Sequence, residues 1–295
     1  MFLVFDIGGS STKIAILDEN SNIIKKNKLK AKKDLKSFLD MLEEQVRKYS
    51  EEFNVEAIGF SSPGTVDPIT GKVGGISALE YIHTYNFAYH IQEKFNLPVA
   101  IENDANCSAL AEIHLAKPKE KSIAFVVIGS GIGGAIIYDG ELIKSRRLEA
   151  GEFGYMILDE QEGKLENFSR LATLPNVSRI LEEKYHIVAN TYQIMNQFAK
   201  KVEPYYSEVK KMYKFLGIGL YNIQYAFDPE VIYIGGAISQ SEDYMRELRK
   251  TLEEGIFKEA DINLRNVTYF NDNNIYGAYA NLMKSIKEGR KLCIQ

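Results

Sequence analysis

Cysteine is scarce. The 295 residues hold two, Cys107 and Cys293, which give neither a disulfide framework nor a zinc-ligand spacing and fit a reducing cytoplasm. The four histidines, His83, His90, His114 and His186, also lack metal spacing. They read as surface or hydrogen-bonded core residues. No run of about 18 apolar residues occurs, so no membrane span is expected. The opening MFLVFDIGG has no basic leader, and its apolar stretch is short for a signal peptide. Neither sign of charge dominates: 36 basic and 40 acidic residues give a net charge of −4. That balance favours no nucleic-acid or anionic-membrane partner. No linker rich in Pro, Gly or Ser is visible. The phosphate-loop pattern G-x-x-x-x-G-K-[ST] is absent, which excludes a P-loop enzyme.

What is present is alternating structure. The length suggests two domains at about 150 residues each. FLVF (2–5), the glycine turn DIGGSST (6–12), TKIAIL (12–17) and the turn DENSN (18–22) read as strand, turn, strand, turn, strand. The basic run KKNKLKAKK (25–33) reads as a solvated turn before a helix over 35–49, whose apolar residues share one face. Strands follow at 57–62 and 97–102, then a helix over 103–116 capped by Asn103 or Asp104. IAFVVI (123–128), GSGIGG (129–134), AIIY, DG and ELI repeat the opening order, which indicates duplicated lobes. Helices are predicted near 193–202, 207–226, 242–257 and 276–288, with strands at 231–234 and 266–270. The lobe boundary is expected near Lys117–Lys121. The whole reads as α/β.

Three glycine turns end strands: DIGGSST (6–12), GSGIGG (129–134) and IGGAIS (234–239). Such turns let backbone N–H groups cradle phosphate oxygens, with hydroxyls of Ser10, Ser11, Thr12 and Ser130 as further donors. Each alone is as consistent with an ordinary turn. Two in matching positions on repeated lobes can clamp a polyphosphate from both sides. A dinucleotide-binding βαβ unit fails, because strand rather than helix follows GSGIGG. Asp104, at a strand-to-helix junction beside Asn103, is either a helix cap or a general base. Asp6 either caps the first turn or holds a metal-bound water. Cys107 reads as a packed small hydrophobe. Glu152, between Gly151 and Gly154, sits in a loop whose glycines permit close approach.

In order along the chain, DIGGSSTK (6–13), SSPGTVD (61–67), IENDANCSALAE (101–112), VVIGSGIGGAII (126–137), GEFGYM (151–156) and DPEVIYIGGAIS (228–239) resemble the ROK sugar kinases of the hexokinase–actin-like ATPase superfamily. The resemblance implies two actin-like (ribonuclease H-like) α/β lobes with ATP and sugar in a cleft between them. One lobe would cover 1–117, completed by the C-terminal helix 276–290, and the other 118–275. Asp6, Gly8, Gly9, Ser10, Thr12 and Lys13 would face the phosphates from the first lobe. Gly129, Ser130, Gly131, Gly133 and Gly134 would do so from the second, with Gly235 and Gly236 near adenosine. Asn103 and Glu152 would hold sugar hydroxyls, Pro63 and Gly64 would shape the sugar side, and Asp104 would be the catalytic base. Mg²⁺ would be held through Asp6, directly or by a water. A homodimer is implied, with no partner beyond sugar and ATP.

The chain departs from the family at one place. Many relatives follow GE-x-GH with a zinc-binding cysteine cluster; here Tyr155 replaces that His, and no Cys occurs between 108 and 292. No structural zinc is therefore expected. A sugar-contacting Glu of those relatives aligns with Ser169, with Glu166 as a nearby substitute. The anomeric end of the sugar thus loses polar anchors and gains Tyr155, which either stacks on the acceptor or packs where a zinc lobe would be. This resembles the β-glucoside kinase branch, which phosphorylates the 6-hydroxyl of a glucosyl unit. Glucokinase and N-acetylmannosamine kinase are the alternatives. A repressor would carry a DNA-binding domain ahead of the first motif, and a dead sensor would have no need of Asp104 and both turns.

Overall fold

Two five-stranded sheets with the same strand order organise the chain, and each grows from one largely apolar strand. The computed structural model describes residues 1–161 and 163–292; Cys293 lies outside them. Contacts divide the chain into two units. The first holds Met1–Pro118, Lys144–Glu149 and Asn271 onward, and the second holds Lys119–Ile143 and Ala150–Phe270.

In the first unit β1 (Phe2–Ile7) is buried at every position. An apolar run of that kind belongs at the centre of a sheet covered on both faces. With β2 (Ser11–Leu17) and β3 (Ile23–Lys30) it forms an antiparallel meander. The basic run is therefore not a turn, as its composition predicted, but most of an edge strand. Half-buried and exposed residues alternate along it, and its lysines keep a further strand from pairing there. Asp34 caps α1 (Leu35–Glu52) by accepting the Ser37 N–H at 2.9 Å. Then come β4 (Ala57–Ser62), a small hairpin of β5 (Thr65–Val66) and β6 (Val73–Gly74), α2 (Phe87–Phe95), β7 (Val99–Asn103) and α3 (Asp104–Ala111). The sheet order is β3-β2-β1-β4-β7, with β1, β4 and β7 parallel.

The second unit repeats the scheme. β8 (Ile123–Ile128), β9 (Ile132–Tyr138) and β10 (Glu141–Leu142) form the meander. The hairpin β11 (Ile157–Gln161) and β12 (Lys164–Asn167) and the helices α4 (Phe168–Leu171), α5 (Leu174–Tyr185), α6 (Thr191–Ala199) and α7 (Tyr205–Phe227) follow. β13 (Val231–Gly235), α8 (Glu242–Leu252) and β14 (Leu264–Asn266) complete the order β10-β9-β8-β13-β14. Three predicted boundaries shift for local reasons. α6 starts at Thr191, because Asn190 and Gln193 form a reciprocal capping box. α8 stops at Leu252, ahead of a separate 3-10 segment at Gly255–Ala260. The strand expected over 266–270 is β14 instead, since Ile232–Ile234 pair with Leu264–Asn266.

The last helix, α9 (Asn273–Lys287), belongs to the first unit. It packs tightly on α3, where a Cβ at Gly277 would overlap the Cys107 carbonyl. Asn273 Nδ2 donates to the Ser108 carbonyl at 2.8 Å and to its Oγ at 2.6 Å. Cys107 is fully buried, and burial, followed by the charges of Glu102 and Asp6, pushes its thiol well up. It packs as a small hydrophobe, as expected. Among the described residues no helix is long and apolar enough to cross a membrane.

Glu43 of α1 joins that helix to α2. Its carboxylate accepts from Lys94 Nζ at 2.6 Å, His90 Nε2 at 2.9 Å and Arg47 Nη2 at 2.9 Å. Burial alone would raise its pKa, but these three donors bring it from 4.5 down to about 2. A depressed carboxyl stabilises the fold above its unfolded pKa and loses that contribution as pH falls through the folded value. Glu43→Gln should therefore cost about 1–3 kcal/mol near neutral pH. Thermal melts of the two proteins across pH should converge as pH falls from about 4.5 towards about 2.

Candidate active site

Asp6 ends the buried centre of the first sheet and is 6 % exposed. Strand register sets Lys13 on one side of it and Ser61 on the other. Lys13 Nζ donates to Asp6 Oδ2 at 2.9 Å, and Ser61 Oγ and Asn274 Nδ2 donate to Oδ1 at 3.1 and 3.2 Å. Lys13 Nζ also donates to the Asn271 carbonyl at 2.7 Å. Asp6 is thus anchored to neighbouring elements rather than capping its turn. Gly8 closes the turn by donating to the Ser11 carbonyl at 3.0 Å. Gly9 and Ser10 are its exposed members, whereas Thr12 lies in β2 at 2 % exposure. A cavity of about 540 Å³ opens beside Gly9 and Ser10, with Lys30, Lys32, Lys33 and Ser77 in its wall.

The strand-to-helix junction settles which residue caps α3. Asn103 does: its Oδ1 accepts the Asn106 N–H at 3.0 Å. Asp104 takes the first helical position, half-buried, with Oδ1 accepting the Ala105 N–H at 2.8 Å. The helix N-terminus favours its charged form. Asn103 Nδ2 donates to the Gly64 carbonyl at 2.9 Å, which joins the SSPG turn to the junction. Gly64 has φ +95°, and a Cβ there would lie 2.6 Å from the Gly74 carbonyl oxygen, so only glycine fits. Pro63 precedes it, half-buried. Beneath the junction Glu102 is 1 % exposed. Its Oε1 accepts from the Asn103 N–H and from Asn106 Nδ2, each at 3.0 Å, and its Oε2 pairs with Lys144.

In the second unit Gly129 and Ser130 are exposed, and the Gly129 N–H donates to the Gly131 carbonyl at 2.9 Å. Gly133 and Gly134 lie inside β9, opposite Val127 and Val126. A Cβ at Gly134 would collide with the Phe153 ring, and one at Gly151 (φ +88°) would lie 2.7 Å from Ala135 Cα. A Cβ at Gly154 would overlap the Ile132 carbonyl and Ser169 Oγ. The close approach signalled by these glycines is thus to the protein's own strand. Glu152 stands half-buried at the start of the 3-10 turn Phe153–Tyr155. Tyr155 is 65 % exposed, so it does not pack beneath the hairpin that follows. Ser169 Oγ accepts the Ile132 N–H at 2.9 Å and holds the glycine turn, while Glu166 pairs with Arg170 at 2.8 Å. Gly235 ends β13, and Gly236 leads into the 3-10 turn Ala237–Gln240.

Ser61 and Glu102 stood inside quoted motifs, but their roles depend on strand register. Lys144, Ser169 and Asn274 are distant in sequence from the groups they hold, and no local pattern marks them. Among the described residues no three His, Cys, Asp or Glu side chains are grouped to hold a metal ion.

Comparison with known proteins places these features in one family. Residues 3–285 match the ROK family. A β-glucoside kinase of Klebsiella pneumoniae is 31 % identical over 93 % of each chain. One of Listeria monocytogenes is 30 % identical over 93 % of this chain and 94 % of its own. A ROK family protein of Streptococcus pneumoniae TIGR4, solved in complex with sucrose, superposes with a TM-score of 0.86 at 36 % identity, covering 97 % of this chain and 99 % of that one. With a match that spans nearly its whole length and a fold shared with solved members, the chain belongs to the ROK family.

Proposed function

We propose that this chain, an ATP-dependent sugar kinase, transfers the γ-phosphoryl group to the 6-hydroxyl of a glucosyl unit, with a β-glucoside such as cellobiose as acceptor. The observation that carries the chemistry is the carboxylate of Asp104 at the first position of α3, where Asn103 rather than Asp104 is the cap. A sugar hydroxyl does not ionise at neutral pH. Asp104 accepts its proton as the new O–P bond forms. Asn103 keeps one amide hydrogen and one oxygen lone pair for the sugar after bonding Gly64 and Asn106. Glu152 grips sugar hydroxyls, and Pro63 and Gly64 shape that side. The N–H groups of Gly9, Ser10, Ser130 and Gly131, in turns closed by the Gly8 and Gly129 N–H groups, receive phosphate oxygens, and Lys13 adds positive charge.

Mg²⁺ arriving with ATP supplies charge neutralisation on the phosphates. Asp6 fits that role. It is the carboxylate at the turn, and Mg²⁺ keeps several waters and needs only one or two protein carboxylates beside the nucleotide. Its three donors hold the carboxylate in place to receive a metal-bound water.

Three observations support a glycoside acceptor. The relatives compared include β-glucoside kinases at 30 % and 31 % identity. The 36 %-identical structure holds sucrose, in which a second sugar substitutes the anomeric carbon of glucose. Ser169 and Glu166 are both engaged within the protein, and Tyr155 offers an exposed aromatic face for a group at C1.

Asp104→Asn should lower turnover by about 10²–10⁴-fold while calorimetry still detects sugar binding; wild-type-like turnover would remove Asp104 from the mechanism. ADP formation should be faster with cellobiose or an aryl β-glucoside than with glucose or N-acetylmannosamine. Activity on N-acetylmannosamine with none on any β-glucoside would overturn the acceptor. Lys144→Met leaves Glu102 charged and buried without its cation, and should cost about 3–5 kcal/mol in denaturant unfolding. The Glu102→Gln/Lys144→Met double variant should recover much of that loss.

A further inference from the structure

The cavity of about 540 Å³ beside Gly9 and Ser10 lies wholly within the first unit. Lys30, Lys32 and Lys33 bring three cations to it, and among the described residues Glu80 is the one acid in its wall. The lysines earlier in β3 are paired, Lys25 with Glu52 at 2.6 Å and Lys26 with Asp272 at 2.7 Å. Among the described residues Lys30, Lys32 and Lys33 have no such partner. Asp34, next in sequence, is already engaged, since its carboxylate accepts the Ser37 N–H and hydroxyl at 2.9 and 2.7 Å. The lysine segment is also pinned. The Ala31 N–H donates to the Ser10 carbonyl at 3.1 Å, and the Tyr81 hydroxyl donates to the Lys32 carbonyl at 3.1 Å. Like charges fixed around one concave wall repel each other, and an anion among them relieves that repulsion.

Another part of the wall reaches the SSPG turn. Ser77 Oγ lies 2.8 Å from His83 Nε2, and the His83 ring stands against Gly64, where a Cβ would come within 2.9 Å of its Cε1. One side chain thus joins the cavity wall to the turn that shapes the sugar side on the kinase reading. We propose that the cavity seats an anionic group, a carboxylate or phosphate, carried on the unit attached to the acceptor's anomeric carbon, with Lys30, Lys32 and Lys33 as specificity-determining cations. The proposal rests on the reading of this chain as a kinase with a glycoside acceptor, and it ranks acidic β-glucosides above neutral ones. These lysines act in binding alone, and phosphoryl transfer does not run through them.

A matched pair of acceptors tests this: 4-carboxyphenyl β-glucoside and its neutral carboxamide, which has nearly the same shape. With the full wild-type chain, kcat/KM should be about 5- to 20-fold higher for the carboxylate, the worth of two or three exposed ion pairs. The preference should shrink at high salt. In a Lys30→Gln/Lys32→Gln/Lys33→Gln variant the two acceptors should perform alike, with kcat/KM for the carboxamide and KM for ATP unchanged. Equal or weaker use of the carboxylate by the wild type would overturn the proposal and leave the kinase reading standing. A variant that keeps the preference would place the anion elsewhere and overturn it as well. A higher KM for ATP in the variant would assign the cavity to nucleotide phosphates, again against the proposal. Activity on free glucose or N-acetylmannosamine with none on either glycoside would remove the glycoside acceptor and the proposal together.

Discussion

A carboxylate buried at the end of a central strand has to be met on every side, and Asp6 is the point where the first unit meets that demand. A buried charge without partners costs several kcal/mol. Lys13 of β2, Ser61 of β4 and Asn274 of α9 each bring a donor to it. Three elements far apart in sequence therefore converge on one side chain. The glycine turn after β1, the SSPG turn after β4 and the start of the last helix are held by the same contact. The junction bearing Asn103 and Asp104 follows, since β7 pairs with β4 in register.

A second buried carboxylate repeats the device two strands away, on β7. Glu102 supports Asn103 from below and draws in Lys144, from a segment that interrupts the second unit's sequence. Its removal from water is tolerable because each oxygen has a partner. The two acids divide the work: one fixes the turn that faces phosphate on the kinase reading, the other fixes the junction that carries the base. Neither buried acid is the group assigned to proton transfer, and both hold neighbours of that group in place.

The repeated strand-turn-strand tracts were legible because wholly apolar runs such as 2–5 and 123–128 have few alternatives. The ROK assignment was equally open, since its motifs are contiguous. Composition misled at 25–33, where lysine-rich sequence forms an edge strand; an edge tolerates what a central strand excludes. Glycines misled as well. Gly134, Gly151 and Gly154 have the look of ligand-approach residues, yet they are required by packing between a loop and β9. The partners Lys144, Ser169 and Asn274 act across the fold, through contacts that no local pattern encodes.

The jammed glycines carry a lesson for redesign. With Gly151 and Gly154 wedged against β9, and Gly134 of that strand wedged against the loop, the GEFG loop behaves as a fixed keel: a side chain added at 134, 151 or 154 meets the opposing strand or loop before it reaches solvent. Variation is cheap only past that point, from the exposed Tyr155 through the hairpin at 157–167. A mutant library aimed at new acceptors would find its tolerant ground there, and duplications or loop grafts that shorten, lengthen or replace the hairpin would leave Glu152 where it stands.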